Sequence, residues 1–175
     1  MKYIKIAAVL ACLVVTAPGQ AAPPSSLPGG ASSLQETYDD WGVSCSTPNK
    51  VVHCVAVQRQ SRKENGQQLL MIELTPAKNA DALTGALVLP FGLLLTSGVT
   101  LQIDGNPPAV PLAFRTCLPV GCIVPLSFDK TIAGALQTGT TLKITATAND
   151  TNQPVTFSVP LKGVVPALKR IKALL

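Results

Sequence analysis

The chain has 175 residues, of which 47% are hydrophobic and 13% charged, with a formal charge of +5. So large an apolar fraction excludes a disordered polymer, and so mild a basic excess speaks against a nucleic-acid partner. The 15 prolines and 13 glycines, set among many Val, Thr and Leu residues, predict short strands joined by tight turns.

Residues 1–22 read as a signal peptide. Lys2 and Lys5 open the segment, an unbroken apolar run follows from Ile6 to Val15, and Pro18-Gly19-Gln20-Ala21-Ala22 closes it with small residues. This order of basic, apolar and small residues marks a secretory signal, and its apolar run falls short of the roughly 20 residues a membrane span needs. Lipidation at Cys12 would leave only Ile6 to Ala11 as the apolar region, so Cys12 reads as one more small residue of the signal. Removal of Lys2 and Lys5 with this segment lowers the formal charge from +5 to +3. The protein is expected in the periplasm, or further out at the cell surface or secreted.

Residues 23–36 are expected to form a flexible linker, because Pro23 to Ser33 has few apolar groups with which to offset the entropy of ordering. Residues 37–175 form the folded body, starting near Thr37 or Trp41. Strands are predicted at Trp41–Ser44, Val51–Gln58 and Leu69–Thr75, the last two joined by the Glu64-Asn65-Gly66 turn. Further along, Val99, Leu101 and Ile103 alternate with Thr100, Gln102 and Asp104. Leu142, Ile144 and Ala146 alternate with Lys143, Thr145 and Thr147, and Val155, Phe157, Val159 and Leu161 with Thr156, Ser158 and Lys162. Period-2 alternation means one buried and one wet face, as in antiparallel sheets. Two turns separate these strands, one at Asp104 to Pro108 and one at Asn149 to Asn152. Helices are expected over Lys130–Leu136, closed by Gly139, and over Val164–Leu175, with Pro166 tolerated in the first turn. The fold class is all-β, a disulfide-stapled antiparallel β-sandwich with a short C-terminal helix, and a β-barrel is the alternative.

Four cysteines belong to the body. Cys45 and Cys54 flank one turn, Cys117 and Cys122 another, so local pairing is preferred, with cross-pairing such as Cys45–Cys117 as the alternative. The spacings Cys-x8-Cys and Cys-x4-Cys fit neither the Cys-x2-Cys of zinc sites nor a redox-active Cys-x-x-Cys, and an exported chain meets an oxidising compartment. Structural disulfides are therefore expected, without metal or cofactor.

For catalysis the residues are sparse. His53 is the lone histidine and sits beside Cys54, and no Gly-x-Ser-x-Gly elbow, phosphate loop or dinucleotide fingerprint occurs. The acids Glu36, Asp39, Asp40, Glu64, Glu73, Asp81, Asp104, Asp129 and Asp150 fall mostly at turns and strand edges, which leaves a hydrolase of paired carboxylates as a minor alternative. Arg59, Arg62 and Lys63 form a basic hairpin tip and a candidate binding surface. Lys169, Arg170 and Lys172 accompany Leu168, Ile171, Leu174 and Leu175 in an amphipathic segment. That segment is expected to cap a sheet, with peripheral contact on anionic lipid as the alternative.

The order of these motifs resembles the invasion-associated locus B family. The resemblance rests on Trp41-Gly42-Val43-Ser44-Cys45, Cys54, Pro90-Phe91-Gly92-Leu93 and the stretch from Gly98 to Asp104. It continues with Phe114-Arg115-Thr116-Cys117, Gly121-Cys122 and Leu161-Lys162-Gly163, ending at Ala167-Leu168. The family comprises exported, β-rich proteins of Gram-negative bacteria, and its founding member is linked to invasion of host red cells. The resemblance implies a non-enzymatic envelope or binding protein engaged with a host surface or another envelope protein. A periplasmic assembly or maintenance factor is the alternative. One departure is Val164-Val165-Pro166, where many relatives carry an aromatic residue.

Overall fold

Alternation of apolar and polar residues builds two antiparallel sheets in the computed structural model, which describes residues 26–77, 81–105 and 111–175. The expected signal peptide, with Cys12, residues 23–25 of the expected linker and residues 106–108 of the expected Asp104 to Pro108 turn lie outside the described residues.

The larger sheet has seven strands. They are β1 (Ser33–Tyr38), β2 (Trp41–Ser46), β3 (His53–Ser61), β4 (Gln68–Pro76), β5 (Leu83–Leu89), β7 (Thr116–Leu118) and β8 (Gly121–Phe128). They run in the order β1-β2-β3-β4-β5-β8-β7. Every pairing is antiparallel, and registers such as Val43↔Ala56, Ala56↔Leu74 and Gly85↔Leu126 align one row of inward residues across the sheet. The inward set includes Trp41, Val43, Leu70, Ile72, Leu74, Leu87, Val124 and Phe128, all buried. The smaller sheet holds β6 (Val99–Ile103), β9 (Thr141–Thr147) and β10 (Pro154–Pro160) in the order β10-β9-β6. Its buried residues, Val99, Leu101, Leu142, Ile144, Ala146 and Val159, join the same core.

Two helices complete the layer that faces the larger sheet. Helix α1 (Lys130–Thr138) starts at Asp129, whose side chain accepts the Ile132 N–H at 2.9 Å as an N-cap. Helix α2 (Val164–Leu174) buries Val164, Ala167, Leu168, Ile171 and Leu174, a helical stripe laid across β1 to β4. Gly163 initiates it in the left-handed region at φ 95°, where any Cβ would collide with the Tyr38 carbonyl. Val164, at the departure from the family pattern, is fully buried, so an aliphatic residue serves to dock this helix. The apolar face that lipid would take is thereby occupied by the sheet.

The sheets are joined by side chains as well as by packing. The Trp41 indole Nε1–H donates to the Pro160 carbonyl at 2.9 Å, and the Gln60 amide donates to the Ser158 carbonyl at 2.7 Å. Both sheets have free ends, β1 and β7 in one and β10 and β6 in the other, so the sandwich holds and the barrel alternative does not.

One expectation is corrected. Residues 33–36 of the expected linker belong to β1, which pairs with β2 along its whole length, and Leu27 is buried at 1% exposure ahead of a short 3-10 turn at Pro28–Gly30. Ordering there is offset by backbone pairing with β2 and by Leu34 and Tyr38 against the core, neither of which composition reveals. Strand β5 carries no alternating signal of its own. The stretch around Leu87 reads in the sequence only as an apolar run, because β5 lies between two strands and buries Leu87, Val88 and Leu89 in succession.

Candidate functional site

The four cysteines pair locally, Cys45–Cys54 and Cys117–Cys122. Each pair sits at directly opposed register positions, Cys45↔Cys54 between β2 and β3 and Cys117↔Cys122 between β7 and β8. Closely opposed residues of antiparallel neighbours bring their Cβ atoms within bridging reach. Cross-pairing is thus overturned: Cys45 and Cys117 lie on opposite margins of the larger sheet. Two disulfides belong to an oxidising compartment, which suits an envelope or extracellular protein.

His53 stands exposed at the start of β3, paired in register with Ser46, and no hydrogen bond joins it to an acid among the described residues. The acids are dispersed. Glu36 receives a two-pronged contact from Arg170, with Nε and Nη2 at 2.9 Å from separate oxygens, and also the Tyr38 hydroxyl at 2.7 Å. Arg170, then Tyr38, hold its carboxyl below the usual range, and the same contact raises the Tyr38 phenol. Asp104 accepts the Thr140 hydroxyl at 2.6 Å and the N–H groups of Thr140 and Thr141, which lower its pKa. Asp39 pairs with Lys162 at 3.0 Å and raises that ammonium's pKa. Asp129 is a helix cap. Among the described residues no carboxylate is hydrogen-bonded to another, and no group of three His, Cys, Asp or Glu residues converges on a metal position.

A shallow cavity of about 310 Å³ lies between α1, α2 and the start of β5, lined by Asp81, Leu83, Lys130, Gln137, Leu168 and Lys172. Its one acid is engaged: Lys130 contacts Asp81 at 3.0 Å and lowers its pKa, with Lys172 adding to the effect. It offers a charged rim and no nucleophile.

The basic hairpin tip is the more prominent surface. Arg62 closes the β3–β4 connection, its N–H donating to the Gln67 carbonyl at 2.8 Å while its carbonyl accepts from Gly66 at 2.9 Å. Gly66 takes φ 68°, as the turn demands, and Asn65 accepts the Gln67 N–H. Arg62 and Lys63 are exposed beside Glu64, whereas Arg59 turns back along the sheet to Glu73 at 3.8 Å. The structure thus groups Arg62 and Lys63 and draws Arg59 away from them.

Three residues at this same end escape the sequence reading: Phe91, Leu118 and Val120. The register Leu89↔Cys122 brings the end of β5 beside the β7–β8 turn, and Leu118↔Gly121 closes that turn. Gly121, at φ 133°, packs so tightly there that a Cβ would lie 2.5 Å from the Leu89 carbonyl oxygen. The Gln68 amide at the head of β4 reaches toward the Val120 carbonyl at 3.5 Å, tying the basic hairpin to this turn. The available signal was an apolar residue at the centre of a turn, in Pro90-Phe91-Gly92 and in Leu118-Pro119-Val120-Gly121.

Comparison with known proteins decides the family. Residues 41–172 match the family described as invasion associated locus B (IalB) protein. The chain belongs to that family. An invasion protein B homologue of Brucella abortus (strain 2308) is 48% identical over 151 residues, covering 86% of each chain. Invasion protein B of Bartonella bacilliformis is 35% identical over 152 residues, covering 86% of this chain and 81% of its own. Among solved structures, the invasion associated protein B of Bartonella henselae superposes with a TM-score of 0.76 at 31% identity, over 81% of this chain and 97% of that one. The family match begins at Trp41, the first residue of β2 and one of the donors that tie the two sheets together.

Proposed function

We propose that this chain is a non-enzymatic binding protein of the bacterial envelope, exported to the periplasm or the cell surface, which contributes to invasion of a host cell. The observation that carries this reading is the match over residues 41–172 to a family of invasion-associated proteins, extended by 48% identity to the Brucella abortus invasion protein B homologue. The chemistry of the chain is in keeping with it. Asp129 serves as a helix cap, Asp39 as an ion-pair partner and Asp104 as a hydrogen-bond acceptor, and the Cys45–Cys54 bridge braces the strand that leads into the basic hairpin. Such a scaffold suits recognition, since rigid sheets hold exposed loops in fixed positions.

Deletion of the gene in the producing bacterium tests this. Host-cell invasion is expected to fall and to be restored by the wild-type chain, with growth and envelope-stress markers unchanged. Unchanged invasion together with raised envelope stress would reject the host-cell role and favour a maintenance factor. Proteolysis of intact cells separates the two locations, because a surface protein is cleaved and a periplasmic one is protected.

A further inference from the structure

We propose that the end of the larger sheet formed by the β3–β4 hairpin, the Pro90-Phe91-Gly92 bend and the β7–β8 turn docks on an anionic phospholipid bilayer. Phe91, Leu118 and Val120 enter the boundary between headgroups and acyl chains, and Arg62 and Lys63 meet the lipid phosphates.

The first ground is exposure. Phe91 and Val120 are each 62% exposed and Leu118 is 47% exposed, and all three lie at one end of one sheet. Scattered single apolar residues need no explanation, but a group at one place does. The second is shape. Phe91 lies in a bend just past β5, Leu118 is the last residue of β7 and Val120 lies in the β7–β8 turn, so the three form an exposed tip and not a groove. A projecting apolar tip suits a deformable bilayer surface, which needs no matching concavity.

Charge is the third ground. Arg62 and Lys63 flank the apolar group through the Gln68–Val120 link. The acids beside it are Glu64 in the same hairpin turn and Asp150 in the β9–β10 turn, where the Asn149 N–H donates to the Gly92 carbonyl at 2.9 Å. Asp39 and Asp40 lie at the same end, in the β1–β2 turn on the far side of β3 from β5 and β8, where Asp39 is already paired with Lys162. Basic residues beside inserted apolar groups are how peripheral proteins select anionic lipid, and the attraction weakens with salt. This surface differs from the C-terminal segment, whose apolar stripe is buried against the sheet.

This inference rests on the reading of the chain as an envelope binding protein, and its test reads the lipid contact alone. The disulfide-bonded protein is floated with phosphatidylcholine vesicles, with and without phosphatidylglycerol, at low and high salt. Binding is expected only with phosphatidylglycerol and is expected to fall with salt. The pair Phe91→Ser and Val120→Ser is expected to lower partitioning by about tenfold. The pair Arg62→Glu and Lys63→Glu is expected to lower it by tenfold or more. Val165→Ser, an exposed apolar position on α2, is expected to change nothing. All these positions are exposed, and circular dichroism checks that each variant is folded. Phe91→Trp supplies a direct probe, expected to shift its emission to the blue on vesicles.

Absence of binding to phosphatidylglycerol vesicles, or binding indifferent to the tip variants, would overturn the proposal. So would sedimentation showing that these residues instead join two copies of the chain or hold a protein partner. Vesicle binding by a protein whose deletion leaves invasion intact would keep the lipid contact and reject the host-cell role.

Discussion

Glu36 is where the first strand and the last helix meet. It sits on β1, takes the Arg170 guanidinium from α2 and the hydroxyl of its neighbour Tyr38, and so fixes the last helix to the first strand. Its carboxyl is held below the ordinary value of 4.5, chiefly by Arg170, and that of Asp104 below 3.8, chiefly by the Thr140 hydroxyl. A carboxyl depressed on folding contributes stability that is present above its unfolded pKa and lost as pH falls through the folded one. Acid is therefore expected to destabilise the protein progressively below about pH 4.5, as protons bind the unfolded chain more readily than the native one. Glu36→Gln is expected to lower the melting temperature at pH 7 and to flatten its decline between pH 5 and pH 3. Thermal scans across that range check both parts. An unchanged pH profile would mean that the Arg170 contact adds nothing measurable, as holds for many exposed ion pairs.

At the level of elements, the two disulfides differ in what surrounds them. Cys45 and Cys54 are both buried, at 3% and 4% exposure, between two strands of the core, whereas Cys117 is exposed on the three-residue edge strand β7. Closing such loops contributes about 2–3 kcal/mol in the chain-entropy picture. Removing the buried bridge also leaves gaps among packed neighbours. Cys45→Ala with Cys54→Ala is expected to cost at least 2–3 kcal/mol, and Cys117→Ala with Cys122→Ala clearly less, as measured by urea unfolding. Equal losses would show that core burial around the first bridge is irrelevant. Strands with clean alternation were legible in the sequence, as were both helices with their stops at Gly139 and near Leu175. Strand β1 was not, because its stability comes from pairing with β2. Nor were β5 and β8, whose order beside β4 is a long-range fact that local patterns do not encode. The candidate site was half legible. Arg62 and Lys63 stand out as a charge cluster before an Asn-Gly turn, while Phe91, Leu118 and Val120 meet them only through the registers of β4, β5, β7 and β8.

For the molecule as a whole, α2 is the element on which the larger sheet depends. The smaller sheet and α1 cover part of its inner face, and α2 lies across β1 to β4, so its five buried side chains close the core beside Ile72 and Leu74. Burying aliphatic side chains contributes about 1.5–3 kcal/mol each, less for Ala, so the helix supplies on the order of 6–12 kcal/mol. Domains of this size are stable by only about 5–15 kcal/mol in total. Truncation after Gly163 is therefore expected to abolish cooperative unfolding, with near-ultraviolet circular dichroism lost and dye binding to the uncovered sheet. The milder Ile171→Ala, at a position with no exposure, is expected to cost about 2–4 kcal/mol while leaving the fold intact. The two variants together separate packing from chain length. If truncation were tolerated, the larger sheet would have to be stable with its apolar inner face over β1 to β4 open to water, which the continuous core from Leu27 to Leu174 argues against.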